Sequence, residues 1–374
     1  MKILKIKGIL IKLHISTLFI VALVGFYATN FYISIVPNAS TIELLIFGIS
    51  NGIIILISIL IHELSHSILA QRYGLIVDEI ELYLFGGVSK IEEEPKSPKS
   101  ELLIAIVGPL SSLLVGTIFL MLFYLPISFP AIISASLLYS GISNIGLGIF
   151  NLLPAFPIDG GRVLRAFLWK HRDNIISATK SASRVGVGFG YGLMIYGFFQ
   201  LFTFGFINGI WLIIIGSFLR TSARQSYIQT VSDFTLSNIS IKEIVHIPQK
   251  ALEIPFDMSI SEAVREFFIP YKRSYFPVVQ GNEIVGVVRI ADIKRVPTYQ
   301  RSTYSIRNVM RKISEFEDIS KDQTGKDALK KLKQSSRQSH VLIVREKDNG
   351  EIIGFIGEDE LFFTLKYQSS SIQT

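Results

Sequence analysis

Three long stretches of this 374-residue sequence contain no lysine or arginine: residues 13–71, 102–161 and 185–219. Each stretch is strongly apolar and long enough for two membrane-spanning helices, because one span needs about 20 mostly apolar residues. We therefore predict six spans, two in each stretch. Their predicted limits are 14–36, 41–70, 101–124, 131–153, 185–203 and 206–221.

Charged residues are unevenly distributed along the chain. Asp, Glu, Lys and Arg together number 27 among the first 230 residues and 40 among the last 144. This contrast predicts a membrane part followed by a more polar part. The net charge is +7, but the basic residues of the first part form short clusters between apolar stretches. We interpret these clusters as topology signals and expect no nucleic-acid partner.

The basic clusters predict the orientation in the membrane. They precede the first span, lie between spans two and three, and lie between spans four and five, whereas the turns near Pro37, Pro126 and Gly205 carry no positive charge. By the positive-inside rule, both termini and the loops at 90–99 and 162–184 are cytoplasmic. The sequence therefore predicts a multi-pass protein of the cell membrane.

The second predicted span ends in the polar motif His62-Glu63-Leu64-Ser65-His66. At a spacing of four residues the two imidazoles share one helix face and can bind one zinc ion, while Glu63 lies beside the water that zinc binds. The chain has no cysteine, so metal ligands must be His, Asp or Glu. The structural alternative is that these polar groups only bond neighbouring helices.

A catalytic zinc site usually has a third protein ligand. The membrane part offers His14 at the entry to the first span, His171 among basic loop residues, and Asp159. Asp159 lies in a Pro- and Gly-rich segment, residues 151–161, that ends the fourth span. Such broken backbone is tolerated at membrane depth where it is buried or lines a wet cavity. An Asp-Gly pair alone indicates a turn, but its place on the same predicted side as the His62 motif favours Asp159.

These motifs resemble those of the site-2 protease family of intramembrane zinc metalloproteases, over most of residues 1–221. The matching segments are His62 to His66, Asn151 to Gly161, Phe85-Gly86-Gly87-Val88 and Gly108-Pro109. The resemblance implies that His62, His66 and Asp159 bind Zn²⁺, that Glu63 is the catalytic base, and that Asn151 holds the substrate or the oxyanion. It also implies transmembrane protein substrates, cleaved within the lipid bilayer.

Residues 79–88 alternate between polar and apolar side chains and then reach two glycines. This pattern predicts a hairpin that turns at the two glycines. An extended substrate can add to the edge of such a hairpin as a further strand. The alternative is a connector at the membrane surface without a binding role.

Two similar units follow a predicted helical linker at 222–236. Segments 261–264 and 274–279 match 326–329 and 339–344 at an offset of 65 residues. The repeated order of a helix, two strands and a second helix resembles a tandem pair of CBS domains, placed here at 237–298 and 299–368. We thus predict a mainly α membrane protein with a six-span transmembrane helical protease core over 1–221, followed by a cytoplasmic α/β CBS pair.

The CBS resemblance also implies a ligand. In that family an Asp six residues after a strand glycine holds the ribose of an adenine nucleotide, and Asp292 has this position after Gly286. Arg289 replaces the hydroxyl residue that is usual three positions after this glycine. The phosphate candidates are Lys272, Arg273, Arg337 and His340. The alternative is a structural module that forms a homodimer.

Two rival functions remain open from the sequence. CBS pairs are also attached to ion-transport proteins, so a CBS-regulated membrane transporter or channel is the main alternative; it leaves the zinc-binding spacing of His62 and His66 unexplained. The second rival is an inactive scaffold of the protease fold, which the presence of every expected ligand disfavours.

Overall fold

The computed structural model describes residues 2–83, 86–91, 95–203, 206–245, 252–334, 340–346 and 350–372. The chain divides into two compact units, Met1–Ile228 and Gln229–Thr374. The predicted turn at 204–205, Phe85 and Arg337 lie outside the described residues.

Long helices and one small sheet form the first unit. In chain order its elements are β1 (Lys2–Ile6), β2 (Ile9–Leu13), α1 (Thr17–Ile35), α2 (Thr41–Arg72), β3 (Val77–Tyr83), β4 (Gly86–Ile91), α3 (Pro98–Phe123), α4 (Ala131–Asn151), α5 (Asp159–Arg172), α6 (Ile175–Thr203) and α7 (Phe206–Ser237), the last of which continues into the second unit.

Five helices of the described chain, α1, α2, α3, α4 and α6, are long and apolar enough to cross a membrane. They overlap the first five predicted spans. The sixth predicted span, 206–221, lies in α7, which is not among these five. The predicted linker at 222–236 lies in the same helix, so the composition changes there without a break in the backbone.

Capping residues fix where the membrane helices begin. Ser40 and Glu43 form a reciprocal capping box at the start of α2, and Ser97 caps α3. Each cap satisfies backbone N–H groups that have no partner within the helix. Small residues then let the helices approach closely: a Cβ added to Gly48 would lie 3.0 Å from the carbonyl oxygen of Gly25. Such contacts are typical of helix packing in membranes.

The four-stranded sheet has the order β1-β2-β3-β4. The predicted hairpin is present as the antiparallel pair β3 and β4, but Gly86 and Gly87, where the sequence predicts the turn, are the first residues of β4, with Gly87 opposite Leu82. Strand β2 pairs in parallel with β3. Strands β1 and β2 are not predicted by any pattern in the sequence. Apolar side chains of β2 and β3 pack with Ala70 of α2 and Ile104 of α3, so the sheet is fixed beside the end of α2 that carries the histidine motif.

The second unit has the repeated element order that the sequence predicts. Its helices and strands are α8 (Ile241–Ile244), β5 (Ile254–Pro255), α9 (Ile260–Ala263), which continues through a π-turn (Val264–Phe268) into α10 (Ile269–Tyr271), β6 (Tyr275–Gln280), β7 (Glu283–Arg289), α11 (Ile290–Ile293), β8 (Arg311–Lys312), β9 (Glu317–Ser320), α12 (Gly325–Gln334), β10 (Val341–Arg345), β11 (Ile352–Gly357) and α13 (Glu358–Ile372). The strands form two sheets, β5-β6-β7-β8 and β11-β10-β9. The sheet β5-β6-β7-β8 packs against α9 and α11, whereas the sheet β11-β10-β9 packs against α8, α12 and α13. A third apolar cluster joins the two sheets through residues such as Tyr275, Val287, Ile343 and Phe355.

Candidate metal centre

Helix α2 positions the two histidines of the predicted motif. His62 and His66 are one helical turn apart, both are buried, and their ring centroids lie 4.8 Å apart. Glu63 is half-buried and, one residue after His62, points about 100° around the helix from it. The motif therefore presents two imidazoles on one face and a carboxylate on the adjoining face.

Asp159 is brought to the same place by a tight loop between α4 and α5. It is the first residue of α5, and the loop folds back over the two glycines that follow it. A Cβ added to Gly160 would lie 2.2 Å from the carbonyl oxygen of Leu153, and one added to Gly161 would lie 2.4 Å from the amide nitrogen of Phe156. Only glycine fits at these two positions, which explains the Asp-Gly-Gly sequence.

Three potential ligand atoms converge between α2 and α5. Asp159 Oδ2 lies 3.0 Å from His62 Nε2 and 3.1 Å from His66 Nε2, and the two Nε2 atoms are 3.2 Å apart. In a tetrahedral zinc site with bonds of 2.0–2.2 Å, neighbouring ligand atoms are about 3.3–3.6 Å apart, a few tenths of an ångström more than the three separations here. The donor set and its spacing thus fit zinc, and this is the group of metal-binding side chains found among the described residues.

Helix α3 orients both imidazole rings from behind. His66 Nδ1 lies 2.6 Å from the carbonyl oxygen of Ile104; because a carbonyl only accepts, Nδ1 carries the hydrogen and Nε2 keeps its lone pair for a metal. His62 Nδ1 lies 2.9 Å from Ser112 Oγ. Such outer partners fix the tautomer of metal-binding histidines. No sequence motif predicted Ile104 and Ser112 as partners of the histidines, although the Gly108-Pro109 motif lies between them.

The other candidates of the membrane part lie elsewhere. His14 bonds Ser16 at the start of the chain, and His171 donates to the carbonyl oxygen of Phe167 at the exposed end of α5. Neither belongs to the converging group. Asn151 is the last residue of α4, and its side-chain amide donates to the carbonyl oxygen of Leu147, 2.9 Å away.

In the second unit, the carboxylate predicted to bind ribose is already engaged. Asp292 accepts two hydrogen bonds from Arg289, 2.6 and 2.7 Å long, and both side chains are buried. Lys272 and Arg273 instead line a separate cavity of about 660 Å³ together with Glu360. The structure therefore divides the residues predicted for one nucleotide site between two places.

Comparisons with known proteins identify the family of this chain. Residues 51–129 and 126–195 match the model of peptidase family M50, and residues 241–298 match the CBS domain. A zinc metalloprotease of Methanocaldococcus jannaschii is 32% identical over 365 residues, which cover 96% of this chain and 93% of that protein. Rip3 of Mycobacterium tuberculosis is 28% identical over 309 residues, 82% of this chain and 78% of the relative.

The chain is also similar to the solved structure of a site-2 protease from Methanocaldococcus jannaschii, with 32% identity and a TM-score of 0.43 over 61% of this chain and 94% of that one. The identity to the metalloprotease across nearly the whole chain decides between the enzyme and the transporter hypotheses. This chain belongs to peptidase family M50, the site-2 protease family of zinc metalloproteases, and carries a CBS domain after its membrane helices.

Proposed function

We propose that this protein is an intramembrane protease that hydrolyses peptide bonds in or near the transmembrane helices of membrane-protein substrates. The observation that carries the proposal is the convergence of His62, His66 and Asp159 beside an apolar helix. Three protein ligands with one open position are typical of catalytic rather than structural zinc.

The residues of the site have distinct roles in this proposal. A bound zinc ion would lower the pKa of its water and polarise the carbonyl group of the scissile peptide. His62 and His66 would hold it through Nε2, and Asp159 through Oδ2. The carboxylate of Glu63 takes a proton from the attacking water and then gives it to the nitrogen of the leaving amine.

We assign Asn151 to the substrate or to the oxyanion that forms from its carbonyl group. Asn151 ends α4, eight positions before Asp159. Its amide group donates within its own helix, and rotation of the side chain would release that amide for a carbonyl oxygen of the substrate. A donor aimed at developing negative charge contributes strongly to catalysis when water is excluded.

The substrate must unwind locally before cleavage, because its carbonyl groups are hydrogen-bonded within the helix. Strand β4 offers a place for the unwound segment. It is the edge strand of its sheet, and the described residues contain no strand on its outer side. An extended substrate would add there through backbone hydrogen bonds.

We further propose six spans, with both termini and the polar unit in the cytoplasm and α7 as the sixth span. The charge-free turns and basic loops support this orientation. We infer that the second repeat, 299–368, is also a CBS domain and that the pair regulates the protease by binding an adenine nucleotide. The alternative is a structural or dimerising module without a nucleotide. The cavity lined by Lys272, Arg273 and Glu360 has groups for phosphate and hydroxyl recognition.

Replacement of the proposed base tests the function. Glu63→Gln keeps the shape of the side chain but cannot take a proton, so the variant is expected to retain zinc and to lose cleavage of a transmembrane reporter protein. The purified full chain would be measured for both. Cleavage at the wild-type rate by this variant would contradict the proposal.

A further inference from the structure

One face of α3 contacts both histidines of the metal centre and the helix that carries Asp159. Its residues are spaced by three, four and four positions, so they lie along one side of the helix. We name this set the α3 stripe; it consists of Glu101, Ile104, Gly108 and Ser112. Within this stripe, Ile104 orients His66 and Ser112 orients His62. Gly108 lets α3 approach the two rings, since its position faces both Nε2 atoms.

Glu101, the first residue of the stripe, contacts the helix that carries Asp159. Glu101 is completely buried, and its Oε1 lies 2.5 Å from both Nε and Nη2 of Arg165, which is 5% exposed. Arg165 lies on α5, six residues after Asp159. A buried ion pair thus joins the stripe to the helix that carries the third candidate ligand, whereas hydrogen bonds join the stripe directly to the other two ligands.

Arg165 also contacts the loop that leads to Asp159. Its guanidinium carbon lies 5.5 Å from the ring centroid of Phe156, within the range of a cation–π interaction. Phe156 is buried against Ala182 of α6 and Ala223 of α7. The guanidinium therefore lies between a carboxylate fixed on α3 and a ring fixed by two further helices, which restricts how far the start of α5 can move.

We infer that Glu101 and Arg165 are positioning residues for the metal centre, and that the α3 stripe sets the geometry of all three ligands from a single helix. The inference rests on the proposed zinc site. Neither residue belongs to the converging group of ligands, so we infer that their effect acts through the placement of Asp159. Changes to outer partners that bond a metal ligand directly typically weaken metal binding by about 10- to 100-fold, and we expect an effect of this size here because Asp159 is one of the three converging ligands.

The decisive variant removes both charges. Loss of one partner would leave the other charge buried and unpaired, whereas replacement of both by apolar groups of similar size is often neutral for stability. We would combine Glu101→Leu with Arg165→Met in the full chain. If this double variant fails to fold, Arg165→Lys keeps the charge but lacks the planar fork that contacts Glu101 and Phe156 together.

A matched control separates positioning from general stability. Asn51 is buried in α2 and bonds Ser136 and Ser140 of α4. Asn51→Leu therefore breaks buried polar contacts of the same membrane core. It lies eleven residues before His62, about 16 Å along the helix, and contacts none of the three ligands.

Two measurements test the inference on purified protein: the dissociation constant for zinc, and the visible absorption spectrum of the Co²⁺-loaded protein, which reports ligand geometry. We expect the positioning variant to bind zinc about 10- to 100-fold more weakly and to show an altered Co²⁺ spectrum, while Asn51→Leu matches wild type in both. Wild-type affinity and spectrum in whichever positioning variant folds would overturn the inference. Absence of zinc binding by the wild-type protein would instead overturn the proposed function.

Discussion

Gly108 is the residue of the α3 stripe whose replacement has the most direct geometric consequence. The Cβ of an alanine would lie 2.1 Å from His66 Nε2 and 2.8 Å from His62 Nε2. Uncharged heavy atoms approach to about 3.5 Å, so either the His66 ring or α3 must move by about 1.4 Å. Movement of α3 would also pull Ile104 away from His66 Nδ1. The added methyl group and the metal would compete for the same space.

We therefore expect Gly108→Ala to weaken zinc binding by more than about 100-fold, beyond the usual effect of changing an outer partner. Overpacking is expected to cost about 1–3 kcal/mol of stability as well. Helix propensity acts in the opposite direction, since Ala is favoured over Gly by about 1 kcal/mol within a helix. A net loss of stability would therefore show that overpacking outweighs the gain in helix propensity, and a net gain would show the reverse.

Gly146→Ala is the matched control. Gly146 lies on α4, another membrane helix, and a Cβ added there meets nothing within 4 Å. This control is expected to keep zinc and to be slightly stabilised. Zinc affinity would be measured by competition with a chelator, and stability by thermal unfolding in detergent. Equal zinc affinities for Gly108→Ala and Gly146→Ala would refute the close approach of α3 to the histidines.

Two further predictions concern orientation and the second unit. Because the chain has no cysteine, single cysteines introduced at Lys96 and Ile127 can be labelled without background. We expect the cysteine at Lys96 to be labelled from the cytoplasmic side and the cysteine at Ile127 from outside. The reverse pattern would contradict the proposed topology. Asp292→Ala leaves Arg289 buried without its main acceptor, so the unfolding free energy of the second unit should fall by about 3–5 kcal/mol. Thermal unfolding would show this, with the exposed Asp322→Ala as control, and equal midpoints would contradict it.

Local patterns in the sequence predicted much of the metal centre. The charge-free stretches predicted the first five membrane helices, and the spacing of His62 and His66 placed both rings on one face. Asp159 followed from broken backbone at the end of a span. These features can be predicted from the sequence because each depends on residues that lie within one or two helical turns of one another.

The features that sequence analysis missed depend on distant parts of the chain. Glu101 and Arg165 are 64 residues apart. Glu101 immediately precedes an apolar segment and Arg165 lies within a basic segment, so neither charge belongs to a local pattern that indicates its partner. Strand β2 pairs in parallel with β3 across the whole of α1 and α2, and strand pairing at that distance leaves no local periodic signal. The linker and the sixth predicted span form one helix because no proline interrupts α7.

Zinc content tests the central claim most directly. The purified wild-type chain is expected to contain about one zinc ion per molecule, as in sites with three protein ligands and one open position. His66→Ala removes one of the three converging groups and is expected to lose most of the metal, whereas His171→Ala, at the exposed end of α5, should keep it. Full zinc occupancy in His66→Ala, or loss of zinc in His171→Ala alone, would contradict the assignment of His62, His66 and Asp159 as the ligands.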